Sequence, residues 1–282
     1  MTSHSQTTGT LYIVATPIGN LEDISARAIR ILREVDLIAA EDTRHSAQLL
    51  SHFAINTPTI SCHEHNQAQR SPLIIQQLLK GDSVALISDA GTPLISDPGF
   101  ALVRSAREQG IPVSPLPGAS AAIAALSVSG LPVDRFLFAG FLPSTAAQRR
   151  KELEGLTMYP VTLVFFESPH RVVACLEDMA RVLGGARKVM VCRELTKKFE
   201  TFLSGDLDEL SQRFTNGDEV VKGEFVLVVE PGVEEDHLNP VWIRTVNELR
   251  EHLPLKKAAQ LVSGLTGARS QALYAAAMTQ NG

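Results

Sequence analysis

Residues 84–99 read Val84-Ala85-Leu86-Ile87-Ser88-Asp89-Ala90-Gly91-Thr92-Pro93-Leu94-Ile95-Ser96-Asp97-Pro98-Gly99. The apolar run through Asp89 has the length and composition of a buried strand. A loop rich in Gly and Pro follows, and Phe100–Gln109 then takes helical spacing closed by Gly110. A strand that feeds a helix through such a loop is one step of an α/β fold. The same step recurs on both sides of it.

Upstream, Thr10–Ala15 is a β-rich run ended by Thr16-Pro17-Ile18-Gly19-Asn20. Asn20 reads as the N-cap of a helix, with Asp23 in capping-box position and Ile24, Ala28, Ile31, Leu32 and Val35 on one face. Asp36–Ala40 is a strand, Thr43–Phe53 a helix and Thr57–Cys62 a strand. Ser71-Pro72 reads as the start of the next helix, with serine as cap and proline in the first turn. Downstream, Pro112–Leu116 is a strand, and Pro117-Gly118 turns it into an alanine-rich helix. Strict alternation of this kind predicts a mostly parallel sheet covered on both faces.

Beyond Leu131-Pro132-Val133-Asp134 the order becomes strand 135–141, helix 145–156, strand 161–167, helix 170–183, strand 188–194, strand 201–205, helix 208–214 and strand 224–230. Two strands in succession predict a mixed sheet. Residues 231–238 are acidic and contain Pro and Gly, so they read as a linker. Three helices end the chain, over 241–253, 255–262 and 268–278, the last two joined by Ser263-Gly264-Leu265-Thr266-Gly267. That is a helix-turn-helix pattern. The expected architecture is therefore α/β, with a flexible N-terminus at 1–9, α/β domains at 10–130 and 131–231, and a linker plus helical module at 232–282.

The chain has 282 residues, 44% of them apolar and 20% charged, which excludes disordered and collagen-like classes. Its net charge of −5 makes any nucleic-acid contact a local matter rather than a property of the whole surface. The three cysteines, Cys62, Cys175 and Cys192, have no zinc-ligand spacing and fit a reducing compartment. Met1 to Thr8 resembles no signal peptide, and the weakly polar run 119–131 falls short of the ~20 residues that span a bilayer. A soluble, cytoplasmic protein is the expectation. No Gly-x-Gly and no Gly-Lys occurs, so dinucleotide and phosphate-loop folds are excluded. His63-Glu64-His65 could offer two imidazoles to a metal, but no third ligand has recognisable spacing, and no metal site is expected.

Three loops follow strands of the first half: Ala15-Thr16-Pro17-Ile18-Gly19-Asn20, residues 88–99, and Leu116-Pro117-Gly118-Ala119-Ser120-Ala121. All lie at carboxyl ends of strands, where open sheets bind ligands. Small residues there let backbone approach a ligand closely, and Asp89 and Ser120 supply polar groups. Any βα loop also needs Gly, Pro and small caps, so composition alone leaves a purely structural role open.

These loops resemble those of the tetrapyrrole methylase superfamily, the class III AdoMet-dependent methyltransferases. The motifs ATPIGNLEDIS, AEDTR, SDAGTPLISDPG, PLPGASA, FFESPHR, CRELTK and GEFVLVVE are similar to its ribosomal-RNA branch over about residues 9–231. The first loop lacks the glycine-rich form, and the second the Gly-Asp-Pro, of corrin and porphyrin methylases. The resemblance implies two α/β domains with the donor cleft between them, S-adenosyl-L-methionine (AdoMet) as methyl donor, a homodimer, and 2′-O-methylation of a cytidine in the decoding region of small-subunit ribosomal RNA, in an assembled small-subunit particle. It also implies that the donor pocket is lined by Pro17, Gly19, Asp89, Ala90, Gly91, Ile95, Ser120, Ala121, Phe166, Gly223, Glu224 and Phe225.

A ribose hydroxyl is a poor nucleophile and needs a base or a cation beside it. Glu41, Asp42, Arg44 and Glu167 are the candidates, with His170, Arg171, Arg193, Glu194 and Lys197 behind them. Ion pairs at a domain seam would use the same residue types. Local positive charge for RNA lies at Arg149-Arg150-Lys151, Lys197-Lys198 and Lys256-Lys257. Two other readings stay open: a methylase acting on a tetrapyrrole or other small molecule, and a non-catalytic ribosome assembly factor on a methylase scaffold.

Overall fold

The computed structural model describes residues 8–157, 159–232 and 240–279. The first half is a five-stranded sheet of β1 (Leu11–Val14), β2 (Leu37–Ala40), β3 (Thr59–Ser61), β4 (Val84–Ile87) and β5 (Val113–Leu116). Their order is β3-β2-β4-β1-β5 and every pairing is parallel. Alternating side chains reach opposite faces. Val14, Ala85 and Ile87 pack under α1 (Ala26–Glu34) and α2 (Thr43–His52), while Leu11, Val84 and Leu86 pack under α3 (Gln67–Lys80) and α4 (Phe100–Glu108). The loops after β1 and β2 thus leave toward one face and the loop after β4, which lies between them, toward the other. Adjacent strands whose loops diverge open a crevice at their carboxyl ends.

α5 (Ala121–Val128) leads to the second sheet, made of β6 (Phe136–Phe141), β7 (Thr162–Glu167), β8 (Lys188–Arg193), β9 (Thr201–Asp206) and β10 (Phe225–Val229). Its order is β6-β7-β10-β8-β9, with only β6 and β7 parallel. One face carries Leu163, Phe165, Val191 and Leu227 under α6 (Ala146–Leu156), α7 (Val172–Leu183) and α8 (Leu207–Asn216). The other carries Val164, Met190, Cys192, Val226 and Val228, and is covered by Ala122, Ala125 and Leu126 of α5 together with Ile18 of the first loop. The two halves therefore share an apolar seam.

The tail forms α9 (Pro240–Leu249), α10 (Leu255–Thr266) and α11 (Ser270–Thr279), with a core of its own from Ile243, Val246, Ala258, Ala259, Val262, Leu273 and Ala277. No helix among the described residues is long and apolar enough to cross a membrane. Residues 1–7 and most of the expected linker, 233–239, lie outside the described residues.

Several expected boundaries move, among them the end of α9, which stops at Leu249 and not at 253. Asn20 caps only a 3-10 turn (Leu21–Asp23), accepting from Glu22 N, and Ser25 caps α1 by accepting from Ala28 N at 3.1 Å. The serine directly before the apolar stripe takes the cap. α3 begins at Gln67, not at Ser71: His63–Asn66 closes a turn whose Asn66 Oδ1 accepts from His63 N, leaving Pro72 inside the helix. α10 runs through Gly264 and stops at Gly267, whose φ of +76° supplies the left-handed end that a helix terminus favours.

Candidate active site

The three loops at the first sheet's carboxyl edge are knitted into one block. Thr16 and Gly91 exchange backbone bonds, Thr16 N to Gly91 O at 2.9 Å and Gly91 N to Thr16 O at 3.1 Å. The Thr16 hydroxyl also donates to Ser88 O at 3.1 Å, and the Thr92 hydroxyl to Ala119 O at 3.1 Å. Gly91 is buried at φ +80°, a conformation that side chains with a Cβ avoid. A Cβ on Gly118 would lie 2.8 Å from the Ala15 Cβ, so the third loop passes against the end of β1. Ser120 stands at the N-cap of α5 without bonding its first turn. Those N–H groups are left without a side-chain acceptor, which suits an anionic ligand group. The two threonines were not singled out from sequence, although Thr-Pro occurs in both loops and would have pointed to them.

Four carboxylates gather at the same edge. Asp42 N donates to Asp89 Oδ1 at 3.1 Å, joining the loop after β2 to the loop after β4. Asp42 caps α2 by accepting from Arg44 N at 2.8 Å, and that bond together with the Arg44 guanidinium holds its carboxyl below the usual range. Glu41 is pushed the other way, by burial first and then by the negative charges of Asp97 and Asp89. Asp97 is raised by burial, with the Ser88 hydroxyl opposing and Asp89 adding to the rise. Only Asp42 of the four has a guanidinium partner among the described residues, so the edge keeps a negative surplus that attracts a cation. Asp97 was not among the expected site residues. Arg44 is turned to solvent, its side chain 91% exposed.

The second half contributes the opposite wall. Phe166 projects from β7 onto the seam face and stays partly open. Glu194 N donates to Glu224 O at 2.9 Å and Glu224 N to Glu194 Oε1 at 3.0 Å. Lys197 Nζ bridges the two carboxylates at 2.9 and 2.7 Å. Burial opposes the Lys197 charge, yet these partners hold its pKa above the ordinary value. Gly223 is needed at φ +84° because a Cβ there would strike Glu194. Leu94, Ser96, Glu194 and Thr196 all have positive φ without being glycine. Backbone strain of this type persists where surrounding structure enforces it. Beyond the apolar seam at Ile18, the walls also meet where the Lys197 stem lies on Gly19 and where Ser96 Oγ lies against Gly140.

Several expected residues are elsewhere. Glu167 alternates with Phe166 and so faces α6 and α7; its side chain is fully buried and paired with Arg171 Nε at 3.3 Å. It is an internal ion-pair partner and not a base in the cleft. Phe225 also faces that core, 6.1 Å from the Phe214 ring, because its neighbour Val226 takes the seam face. Arg149 is buried, and Asp178 Oδ2 accepts from its Nε at 2.7 Å, so it offers no charge to a polyanion. Arg150 leans toward Asp178 at 3.7 Å, and Lys151 is exposed. Lys198 is exposed beside the Phe199 ring, as are Lys256 and Lys257 on α10. Pro17 is buried, Gly19, Ala90, Ile95 and Glu224 are exposed, and Ala121 is partly buried. The His63 and His65 rings stand 6.0 Å apart, and no group of three potential metal ligands occurs among the described residues.

The profile of the Tetrapyrrole (Corrin/Porphyrin) Methylases matches residues 10–211, and that of the RsmI C-terminal HTH domain matches residues 238–281. The chain is 51% identical to the Ribosomal RNA small subunit methyltransferase I of Pseudomonas aeruginosa, over 97% of this chain and 98% of that one. It is 49% identical to the protein of that name from Escherichia coli O157:H7, over 97% and 96%. Among solved structures, diphthine synthase superposes with a TM-score of 0.60 at 16% identity, covering 79% of this chain and 90% of that one. Uroporphyrin-III-C-methyltransferase from Thermus thermophilus gives 0.55 at 19% identity, over 79% and 94%; both show a shared fold. Parallel first sheet, mixed second sheet, the loops between them and the matched helical tail lead to one assignment: the chain belongs to the tetrapyrrole (corrin/porphyrin) methylase family.

Proposed function

We propose that this protein uses AdoMet to methylate the 2′-hydroxyl of a cytidine in the decoding region of small-subunit ribosomal RNA. The observation that carries the reading is identity near 50%, over almost the whole chain including the helical tail, to proteins named small-subunit rRNA methyltransferases. The working division is 10–130 and 131–231 for the two α/β domains and 232–282 for the linker and helical module. The chain acts as a cytoplasmic homodimer on an assembled small-subunit particle.

The residues present fit the donor. Its sulfonium is a cation, and the edge of Glu41, Asp42, Asp89 and Asp97 is negative. Its carboxylate suits the uncapped first turn of α5 at Ser120 and Ala121. Gly91, locked to Thr16, holds the loop so that the exposed Ala90 can approach the donor closely, and Phe166 with Gly223 and Glu224 closes the other side. AdoMet supplies a methyl carbon already activated by sulfur. The protein's part is orientation and exclusion of water. Glu41, directly after β2 and half-buried at the crevice, is the carboxylate assigned to take the ribose proton; burial and its negative neighbours raise its pKa, a shift that Asp97 shares and that favours a base at working pH. Lys151, Lys198, Lys256 and Lys257 are the exposed cations that would meet RNA phosphates, with the half-buried Arg150, drawn toward Asp178, beside the first of them.

The test is transfer from methyl-labelled AdoMet to small-subunit particles from cells lacking the protein, beside naked rRNA and a tetrapyrrole. A ribose-methylated cytidine on the particle is expected. Label on the tetrapyrrole alone would support the small-molecule reading. No AdoMet binding would leave an assembly factor.

A further inference from the structure

Strand β6 carries Phe136, Phe138 and Phe141, and simple alternation would send the third ring to the wrong face. Leu137 lies opposite Leu163 and Phe138 opposite Val164. Continued without a break, the register would set Phe141 opposite Glu167, on the face covered by α6 and α7. Instead one extra residue enters between Phe138 and Gly140; Gly140 then pairs with Phe165, and Phe141 with Phe166. Gly140 has φ +63°, which a glycine adopts readily. A bulge re-aims the side chain that follows it. Here it turns Phe141 onto the cleft face.

The result is an aromatic ledge. The Phe166 ring lies edge-to-face with Phe138 at 4.8 Å and with Phe141 at 5.7 Å. The outermost ring, Phe141, is 55% exposed. Its position is enforced from behind. Arg171, paired with the buried Glu167, donates to the carbonyls of Leu142 and Pro143. Arg149, paired with Asp178, donates to Ser144 O at 3.4 Å. The ledge adjoins the loop that carries Asp89 and Asp97, since a Cβ on Gly140 would lie 3.2 Å from Ser96 Oγ.

Resting on the RNA-methylation reading above, we propose that Phe141, backed by Phe166 and Phe138, is the stacking platform for the base of the nucleotide being methylated. Single-stranded RNA is recognised by splaying bases out of their stack, and an aromatic ring replaces the neighbour that is lost. The donor's adenine is the other planar base that enters the cleft. The RNA base is favoured because the exposed ring is the outermost of the three.

The experiment compares Phe141→Ala, Phe141→Leu and Phe141→Trp with the parent chain. It measures kcat/KM for small-subunit particles at saturating AdoMet, AdoMet affinity by calorimetry, and the thermal midpoint. Alanine and leucine are expected to lower kcat/KM about ten- to a hundredfold, and tryptophan to stay within about threefold of the parent. AdoMet affinity and the thermal midpoint stay at parent values. Leucine keeps the apolar volume without the π face; activity equal to the parent for leucine or alanine overturns the platform. So does a loss confined to AdoMet affinity, which would assign the ledge to the donor's adenine. Either result leaves the RNA reading standing. Failure of the parent chain itself to methylate RNA overturns that reading and the platform with it.

Discussion

Glu41 and Glu167 occupy matching places in the chain. Glu41 follows the last residue of β2 and Glu167 is the last residue of β7, each after a run of buried apolar residues. Their surroundings are opposite. Glu167 points to the core face, fully buried, with Arg171 as partner and Ser168 N donating to it at 2.8 Å. Glu41 stands at the crevice beside Asp89 and Asp97, with a backbone hydrogen bond from Asp89 but no cation paired to it among the described residues. A buried carboxylate with a cation and a donor holds structure together, whereas a half-buried one among like charges is costly to the fold and useful to chemistry.

Removing Glu167 breaks the comparison most sharply if it is wrong. Glu167→Ala leaves the Arg171 charge unpaired and should destabilise the protein by about 3–5 kcal/mol, read as a lower urea midpoint. Full stability with no methyl transfer would instead make Glu167 a reacting group. Asp89→Asn should do the reverse: methyl transfer to the particle falls about ten- to a hundredfold through the weakened bond from Asp42 N and the lost negative charge, with little change in urea midpoint.

Gly19→Ala tests whether the two walls are in register. At φ +152° a Cβ would lie 2.3 Å from Lys197 Cγ, so a cost of about 1–3 kcal/mol is expected. A second substitution, Lys197→Ala, should recover the steric part of that cost in a double-mutant cycle. Additive effects would show that the contact is not formed in solution.

The smallest effect is that of Glu41→Gln. The folded pKa lies above the unfolded one, so the folded state keeps its proton longer as pH rises. The group's contribution therefore turns unfavourable as pH climbs from the ordinary carboxylate range through the raised value. Glu41→Gln should raise the thermal midpoint slightly near pH 7, by less than about 1 kcal/mol in stability, and leave it unchanged near pH 3, where both states are protonated. Methyl transfer falls at the same time. A stabilised variant with undiminished activity would move the base elsewhere.

The order of strands and helices was legible because each carries its own period. Val84–Ile87 reads as a buried strand and Ala26–Glu34 as a one-faced helix before any contact is known. The loops at 15–20, 88–99 and 116–121 were legible as a candidate site because small residues and strand ends recur together, and because their motifs resemble one family. What stayed hidden depends on which face a residue takes. Phe166 and Glu167 are adjacent letters, yet one lines the seam and the other fills a core. Arg149 and Lys151 read as one basic cluster, but Asp178, far along the chain, buries the first.

Local physics thus determined the element types and made Ser25 and Asp42 helix caps, since each cap depends on an N–H two or three residues away, even though Asn20 reads as the cap from sequence alone. Pairing between distant segments decided the rest. The bulge that turns Phe141, the bond from Asp42 to Asp89 and the Lys197 stem on Gly19 exist only when strands and loops remote in sequence meet. A side chain's charge state and accessibility follow from those meetings, because burial and Coulomb terms depend on distance in space and not on separation along the chain.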